Sequence, residues 1–440
     1  MSLRKLTLGV VAAAALAVPA ALPASAADEV FFPLLVYRTG PYAPSGIPVA
    51  NGFVDYFKLL NERDGGIGGA KIVWEECETA YDTKMGVECY ERLKGKHGGA
   101  LVVNPYATAI TYALIPKASV DKVVIHSMGY GRTDAADGRV FPWVFNMPTT
   151  YWSQASAIIE YIAGKEGGLA KLKDKKIALV YHNSAYGKEP IPTLETLSKK
   201  YGYKFETLAV NHPGQEQGAT WLQIRRNKPD YVIMWGWGVM NQVAIKEAAA
   251  IGFRMDHFIG GWWSGSESDV EPVGKGAVGY TAATFTATGT SFPLFKDLKK
   301  YVYDKGQGAG EWSRVGEVLY NRAIINAVYN AEAVRIAQKK FNVKAVNGEQ
   351  VRWAFEHFEL TAARLKELGL ENFAQPIKLS CMDHEGNGPV MIQQWDGKTW
   401  KRVSNWIKPM SDVVRPAIEA SAAAYAKENN ITPRDCSKEQ

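Results

Sequence analysis

"KKIALVYHNSAYGKEPIPTLETLSKKYGYKFETLAV", residues 175–210, holds the organisation of the chain in miniature. The apolar run KKIALVYH reads as a strand, EPIPTLETLSKKYG as a helix closed by glycine, and KFETLAV as a second strand. A helix linking two strands of one sheet makes them parallel, with a right-handed crossover. Downstream the unit repeats: GATWLQIRRNK is helical, DYVIMWGW a strand, NQVAIKEAAAIG a helix and HFIGGW a strand. Upstream lies a separate series of the same kind. EVFFPLLVY (29–37) is a buried strand, and IPVANGFVDYFKLLNER carries Val49, Phe53, Phe57 and Leu60 at helical spacing before DGGIGG ends it. KIVWEE, GALVVN and KVVIHS are further strands, separated by the helices TKMGVECYERLK and ITYALIPKAS; FPWVFNMPTTYWSQASAIIEYIAG then crosses into a helix. Two consecutive series of similar size predict an α/β chain of two lobes, each a doubly wound parallel sheet.

After Gly279 the alternation weakens. GYTAATFTATG reads as an extended crossing, EVLYNRAIINAVYNAEAVRIAQKKF and GEQVRWAFEHFELTAARLKELG as two long helices, and VMIQQWDGKTWKRVS as a hairpin with a type I′-like DG turn. SDVVRPAIEASAAAYAKEN closes the chain as a helix interrupted near Pro416.

The first 26 residues read as a secretory signal. Arg4 and Lys5 precede an uncharged apolar run broken by Pro19 and Pro23, and ASA at 24–26 fits cleavage before Ala27. No cysteine stands at that junction for lipid attachment, and no later stretch offers about 18 uncharged apolar residues. A soluble mature chain in the periplasm is expected. The net charge of +6 is spread without a basic block, which argues against nucleic-acid binding. Four cysteines in an exported chain favour disulfides: Cys77 with Cys89 as a local bridge, and Cys381 with Cys436 then tying the tail to the body. Buried thiols are the alternative. Neither the cysteines nor the seven histidines show metal-ligand spacing. Nucleophile-elbow, H-E-x-x-H and Walker A motifs are missing from the sequence, and DGGIGG follows a helix instead of opening one. Neither an enzyme nor a cofactor is expected.

Ligands of open parallel sheets sit outside the carboxyl ends of the strands. The residues there are Arg38 and Tyr42; Tyr106, Ala107 and Thr108; Ser127, Met128, Gly129 and Tyr130; Asn183 and Tyr186; Trp235 and Trp237; and Trp262 and Trp263. The set is aromatic, hydroxyl-bearing and glycine-rich, with one cation and no carboxylate. Strand geometry points Trp235 and Trp237 the same way, with Gly236 between them.

YRTGPYAPSG followed by a helix, NERDGGIGGAKIVWEE, KIALVYHNSAYGKE and KPDYVIMWGWGVMNQVAIKEAAAIGF together resemble the branched-chain amino-acid (leucine/isoleucine/valine-binding) type of periplasmic solute-binding protein of ABC transporters. The resemblance implies a type I fold with crossings near 145–150, 280–288 and 374–383. Residues 27–147 plus 284–378 would form lobe 1, residues 148–283 plus 379–410 lobe 2, and residues 411–440 a C-terminal helix and tail. It also implies hinge closure on a ligand and delivery to an ABC permease in the inner membrane, with a sensor role for a membrane receptor as the alternative. A substrate carboxylate would lie at the hydroxyls and amides of Tyr106–Thr108 and Ser127–Gly129, with Arg38 adding a charge. The family's amino-acid binders place an acid for the ammonium after a late second-lobe strand. Here that place holds Trp262, and the nearest acid, Glu267, is expected in solvent. The expected ligand is therefore an aromatic carboxylate or related aromatic compound, then an aliphatic acid or amide, then a branched-chain amino acid.

Overall fold

The structure is a computed structural model and describes residues 29–386 and 388–438. The secretory-signal reading falls outside these residues. Among them, no helix is long and apolar enough to cross a membrane.

The first sheet opens with β1 (Glu29–Val36) parallel to β2 (Lys71–Glu78). It continues through β3 (Val102–Val103), β4 (Val124–His126) and β5 (Val144–Phe145), also parallel. Bridges Phe31↔Ala100 and Leu34↔Asn104 join the two ladders, giving the order β2-β1-β3-β4-β5. β1 is buried along all but its first residue, as a strand covered by helices on both faces requires. Helices Ala43–Asp64 and Val318–Phe341 pack along each other. Their approach is close enough that a Cβ on Gly52 would meet the Tyr320 carbonyl oxygen at 2.6 Å.

The second sheet contains β6 (Lys176–His182), β7 (Lys204–Val210), β8 (Tyr231–Trp235), β9 (Phe258–Gly260) and β10 (Thr281–Thr284), all parallel in the order β7-β6-β8-β9-β10. β11 (Glu359–Leu360) and β12 (Ile377–Lys378) form a separate antiparallel pair. β13 (Met391–Trp395) and β14 (Trp400–Arg402) then complete the second sheet as antiparallel strands beside β10. The chain leaves the first sheet after Phe145, returns to its helices after Thr284, and goes back to the second sheet after Lys378.

Four local expectations need correction. The start of GYTAATFTATG is a paired strand, β10, before it is a crossing. GEQVRWAFEHFELTAARLKELG is two helices, Gly348–Glu356 and Ala362–Glu367, with β11 between them; the Thr361 hydroxyl accepts from the Arg364 N–H and restarts the second. The hairpin loop is not type I′: a bond from the Asp396 N–H to the Thr399 carbonyl encloses Gly397 and Lys398, and only Gly397 has positive φ, at 96°. Pro416 does not interrupt its helix, which runs from Ser411 to Glu428; near the N-terminus the proline removes one hydrogen bond and the chain continues.

The C-terminal helix spans both halves. At its start the Met410 N–H donates to Ser156 Oγ at 3.0 Å and Lys200 pairs with Asp412 at 3.1 Å. Farther along, Ser421 donates to Asp134 at 2.7 Å and Tyr425 packs on Phe141. Disulfides join Cys381 to Cys436 and Cys77 to Cys89, the pairing expected.

Candidate functional site

Every parallel strand of the first sheet from β1 to β4 is followed by a tyrosine: Tyr37 and Tyr42, Tyr81, Tyr106, and Tyr130. The strand ends of the second sheet supply Tyr186 after β6, Trp235 and Trp237 at β8, and Trp262 and Trp263 after β9. These two sets of loops face and touch each other. Tyr130 stacks on Trp263 with centroids 4.8 Å apart and planes within 9°. Trp237 meets Trp263 edge-on at 5.4 Å and Tyr37 at 6.3 Å. Tyr42 donates to, or accepts from, His182 Nε2 at 2.7 Å across the same boundary. Gly129 lies against the edge of Trp262, where a Cβ would meet the ring at 2.8 Å.

The first-sheet loops are conformationally forced. Tyr106 and Met128, each directly after a strand loop begins, have φ of 55° and 50°, and Gly129 follows at 72°. A left-handed backbone costs a non-glycine residue roughly 1–2 kcal/mol. Strain of this kind concentrates where a loop must present groups to a ligand. Beneath the loops, Asn330 donates to Asn104 Oδ1 at 2.8 Å, Asn104 donates to the His126 carbonyl at 2.9 Å, and His126 Nδ1 meets Asn330 Oδ1 at 2.7 Å. That closed ring of bonds fixes the β3 and β4 ends.

Most of the expected residues come together. Tyr42, Tyr106, Ala107, Thr108, Ser127, Met128, Gly129, Tyr130, Tyr186, Trp235, Trp237 and Trp262 are all buried at or beside this boundary. Ser127 Oγ accepts from Asn146, and Thr108 Oγ1 accepts from the Gly131 N–H. Trp235 and Trp237 meet different partners: Trp235 packs edge-on to Tyr151, whereas Trp237 reaches the first sheet. The strand ends at Trp235, so strand alternation no longer governs position 237. Two expected residues stand elsewhere. The Arg38 guanidinium is engaged by both Glu76 oxygens at 2.7 Å and by Asn51, and Asn183 is exposed on Asn211.

Glu267 is not in solvent. It is half-buried and accepts the Val318 N–H at 2.9 Å, capping the Val318–Phe341 helix. Burial, opposed by that bond, pushes its carboxyl up to about 8. Asp269 is buried but occupied by Asn241 and Ser266; burial outweighs those bonds and raises it to about 6. Asp269 already accepts three bonds and Glu267 one.

Trp263, named with Trp262 at the strand end, makes the flat stacking contact across the boundary, whereas sequence reasoning missed Arg322 altogether. Arg322 is fully buried, donates to the Trp262 carbonyl and to Thr284 Oγ1, and lies over the Trp263 and Phe285 rings at 4.9 and 4.8 Å. A signal was present: Arg322, Asn326 and Asn330 recur every four residues along the buried part of the helix, which sets a polar stripe on one face. Several buried polar atoms around the boundary have no partner among the described residues: the indole nitrogens of Trp235, Trp262 and Trp263, Arg322 Nε, the hydroxyls of Tyr106 and Tyr130, and the carboxamide oxygens of Asn146, Asn241 and Asn326. Indole and guanidinium nitrogens only donate. The boundary is thus a seam of packed rings that carries both unpartnered donors and unpartnered amide acceptors.

The comparisons fit this geometry. A structure from the Pseudomonas fluorescens group, described as an ABC transporter permease, is 45% identical, with a TM-score of 0.87 over 93% of this chain and 99% of that one. A solute-binding protein from R. palustris in complex with benzoate shares the fold at 16% identity, with a TM-score of 0.67 over 87% and 97% of the two chains. The Leu/Ile/Val-binding protein BraC3 of Rhizobium johnstonii is 26% identical over 54% of this chain; the alignment spans 61% of that relative's length. The periplasmic binding protein family model matches residues 29–399. With that match over most of its length, and with two parallel sheets whose strand ends face one another, the chain belongs to the periplasmic binding protein family, and its resemblance to the branched-chain amino-acid type is borne out.

Proposed function

We propose that this protein is the solute-binding component of an ABC importer, capturing a small aromatic carboxylate in the periplasm and presenting it to a permease. The carrying observation is the seam of rings between the two sets of strand-end loops, with indole and guanidinium nitrogens that have no partner among the described residues. Flat faces suit a planar ligand, and an aromatic pair adds about 0.5–1.5 kcal/mol beyond the area it buries. Unpaired buried donors favour a ligand that brings acceptors.

In this reading lobe 1 comprises residues 27–147 and 284–378 and lobe 2 residues 148–283 and 379–410, with residues 411–440 as a helix and tail. A hinge of three crossings lets the lobes part. The ligand lands on the tyrosine loops of lobe 1, and lobe 2 closes Trp237, Trp262 and Trp263 over it. Closure removes water and strengthens each polar contact.

A second reading, a branched-chain amino acid, has the BraC3 relationship in its favour. Against it stands the ammonium, whose burial without a paired acid is costly; Asp269 and Glu267 are already engaged. Calorimetry of the refolded, ligand-stripped protein against benzoate, 4-hydroxybenzoate, hexanoate, leucine and valine separates the two. Binding of the aromatic acids alone is expected. Tight binding of leucine or valine, with none of the aromatic acids, overturns the proposal.

A further inference from the structure

We infer that Arg322 is the charge that selects an anionic ligand, its guanidinium meeting the ligand's carboxylate beside Trp263 and Tyr130. This rests on the aromatic-acid reading and deepens it. It also differs from the expected placement, in which first-lobe hydroxyls and amides hold the carboxylate with Arg38 adding the charge.

A buried cation without a counter-charge is a costly thing for a fold to keep. Arg322 has no solvent exposure, and among the described residues no carboxylate lies within ion-pair distance of it. Its terminal nitrogens donate only to neutral oxygens, the Trp262 carbonyl and Thr284 Oγ1. Its Nε is buried with no partner. The position is costly in a second way: Arg322 sits near the N-terminus of the Val318–Phe341 helix, where the backbone dipole disfavours positive charge. Glu267 relieves that end of the helix but is spent on the Val318 N–H. Burial lowers the guanidinium to about 9, with Tyr130, Tyr186, Asp269 and Glu267 opposing the drop at longer range, so it stays protonated at neutral pH.

What surrounds Arg322 belongs to the seam. It lies over the same Trp263 ring whose other contacts are Tyr130 and Trp237. The Tyr130 hydroxyl and the Trp263 indole nitrogen are themselves buried and unpartnered. A carboxylate accepts from several fixed donors at once, and its bonds to a guanidinium are the stronger kind. An uncharged ligand of the same shape would leave the cation uncompensated.

The test is an acid–amide pair. Benzoate and benzamide are titrated into the wild type, Arg322→Met and Arg322→Lys. The wild type is expected to prefer benzoate by more than about tenfold, Arg322→Met to lose that preference to within about threefold, and Arg322→Lys to retain most of it. Equal loss of both ligands in Arg322→Met, or an undiminished preference for benzoate, overturns the inference, because a purely structural arginine affects both alike. Should Arg322→Met fail to fold, the wild type alone decides. It is expected to bind benzoate more than about tenfold more tightly than benzamide, and equal affinity for the two overturns the inference. If the wild type binds hexanoate and no aromatic acid, the aromatic reading fails; the same comparison with hexanoate and hexanamide then still judges Arg322.

Discussion

Adjacent tryptophans at 262 and 263 are chemically identical and do different work. Trp262 stacks on Tyr151 at 5.6 Å, within the half of the molecule that carries it, and meets Phe285 edge-on. Its backbone N–H donates to Gln154 Oε1 at 2.6 Å and its carbonyl accepts from Arg322, so it is held at four points. Trp263 faces the opposite set of loops, flat against Tyr130. Trp263→Ala is therefore expected to weaken ligand binding by more than about 1.5 kcal/mol, the scale of an interface anchor. Trp262→Ala is expected to act on stability first, losing about 3–5 kcal/mol as a buried tryptophan truncated to alanine does. Calorimetric titration beside thermal melting of both variants checks the pair. A Trp263→Ala protein with wild-type affinity removes that ring from the site.

The helix Val318–Phe341 shows how much one element carries and how little of it the sequence displays. Its apolar residues announce a helix, and the start read at Glu317 is one residue from the observed Val318. Its cap comes from far along the chain: Glu317 makes no side-chain cap bond, and Glu267 supplies the acceptor 51 residues away. Glu267→Ala is expected to lose about 1 kcal/mol, the usual worth of an N-cap, read by denaturant unfolding with an unchanged m-value. A loss within about 0.2 kcal/mol would show the bond to be dispensable. Local pattern was enough for the parallel strands, because each of them lies between helices and reads as a short apolar run. It was also enough for the strand-end tyrosines, since the carboxyl ends of a parallel sheet gather in one place. It was insufficient for Arg322 and Glu267, whose meaning depends on partners brought together only by tertiary folding. It failed too at residues 348–369, where helical spacing runs through Phe358 and Leu360 although that stretch pairs with β12. The hydroxyl of Thr361, a start signal inside an apolar run, was the local clue.

Across the molecule, the two halves are joined by more than the three crossings. The C-terminal helix touches both and is fastened by Cys381–Cys436, which closes a separation of 55 residues against 12 for Cys77–Cys89. In the chain-entropy account these loops are worth about 4 and about 3 kcal/mol, so the double variant Cys381→Ser, Cys436→Ser is expected to lower the melting temperature more than its Cys77, Cys89 counterpart. A titratable clasp also joins the two halves. Glu189, beside the second sheet, accepts from Tyr112, from Thr133 Oγ1 at 2.7 Å and from the Thr133 N–H at 3.3 Å, all on the other side. Burial pushes its carboxyl from 4.5 up to about 7, against those bonds, and Asp134 adds to the rise. A carboxyl raised in the folded state holds a proton that the unfolded chain has released, so its contribution is full below 4.5 and is lost as pH climbs to about 7. Glu267 acts in the same sense up to about 8. His126 and His182, pushed down from 6.5 to about 4 chiefly by burial, act in the opposite sense, losing stability as pH falls, but only below 6.5. Between 6.5 and 8 the carboxyls act without that opposition, and the slope is negative. Melting temperature is expected to fall on the order of 2–4 °C from pH 6.5 to 8.5 in the wild type. Glu189→Gln, which keeps an acceptor for Thr133 and cannot titrate, is expected to lose less melting temperature than the wild type between about pH 5 and 7.5, where the histidines act equally on both proteins. A Glu189→Gln profile parallel to the wild type's over that range would remove Glu189 as the titrating clasp.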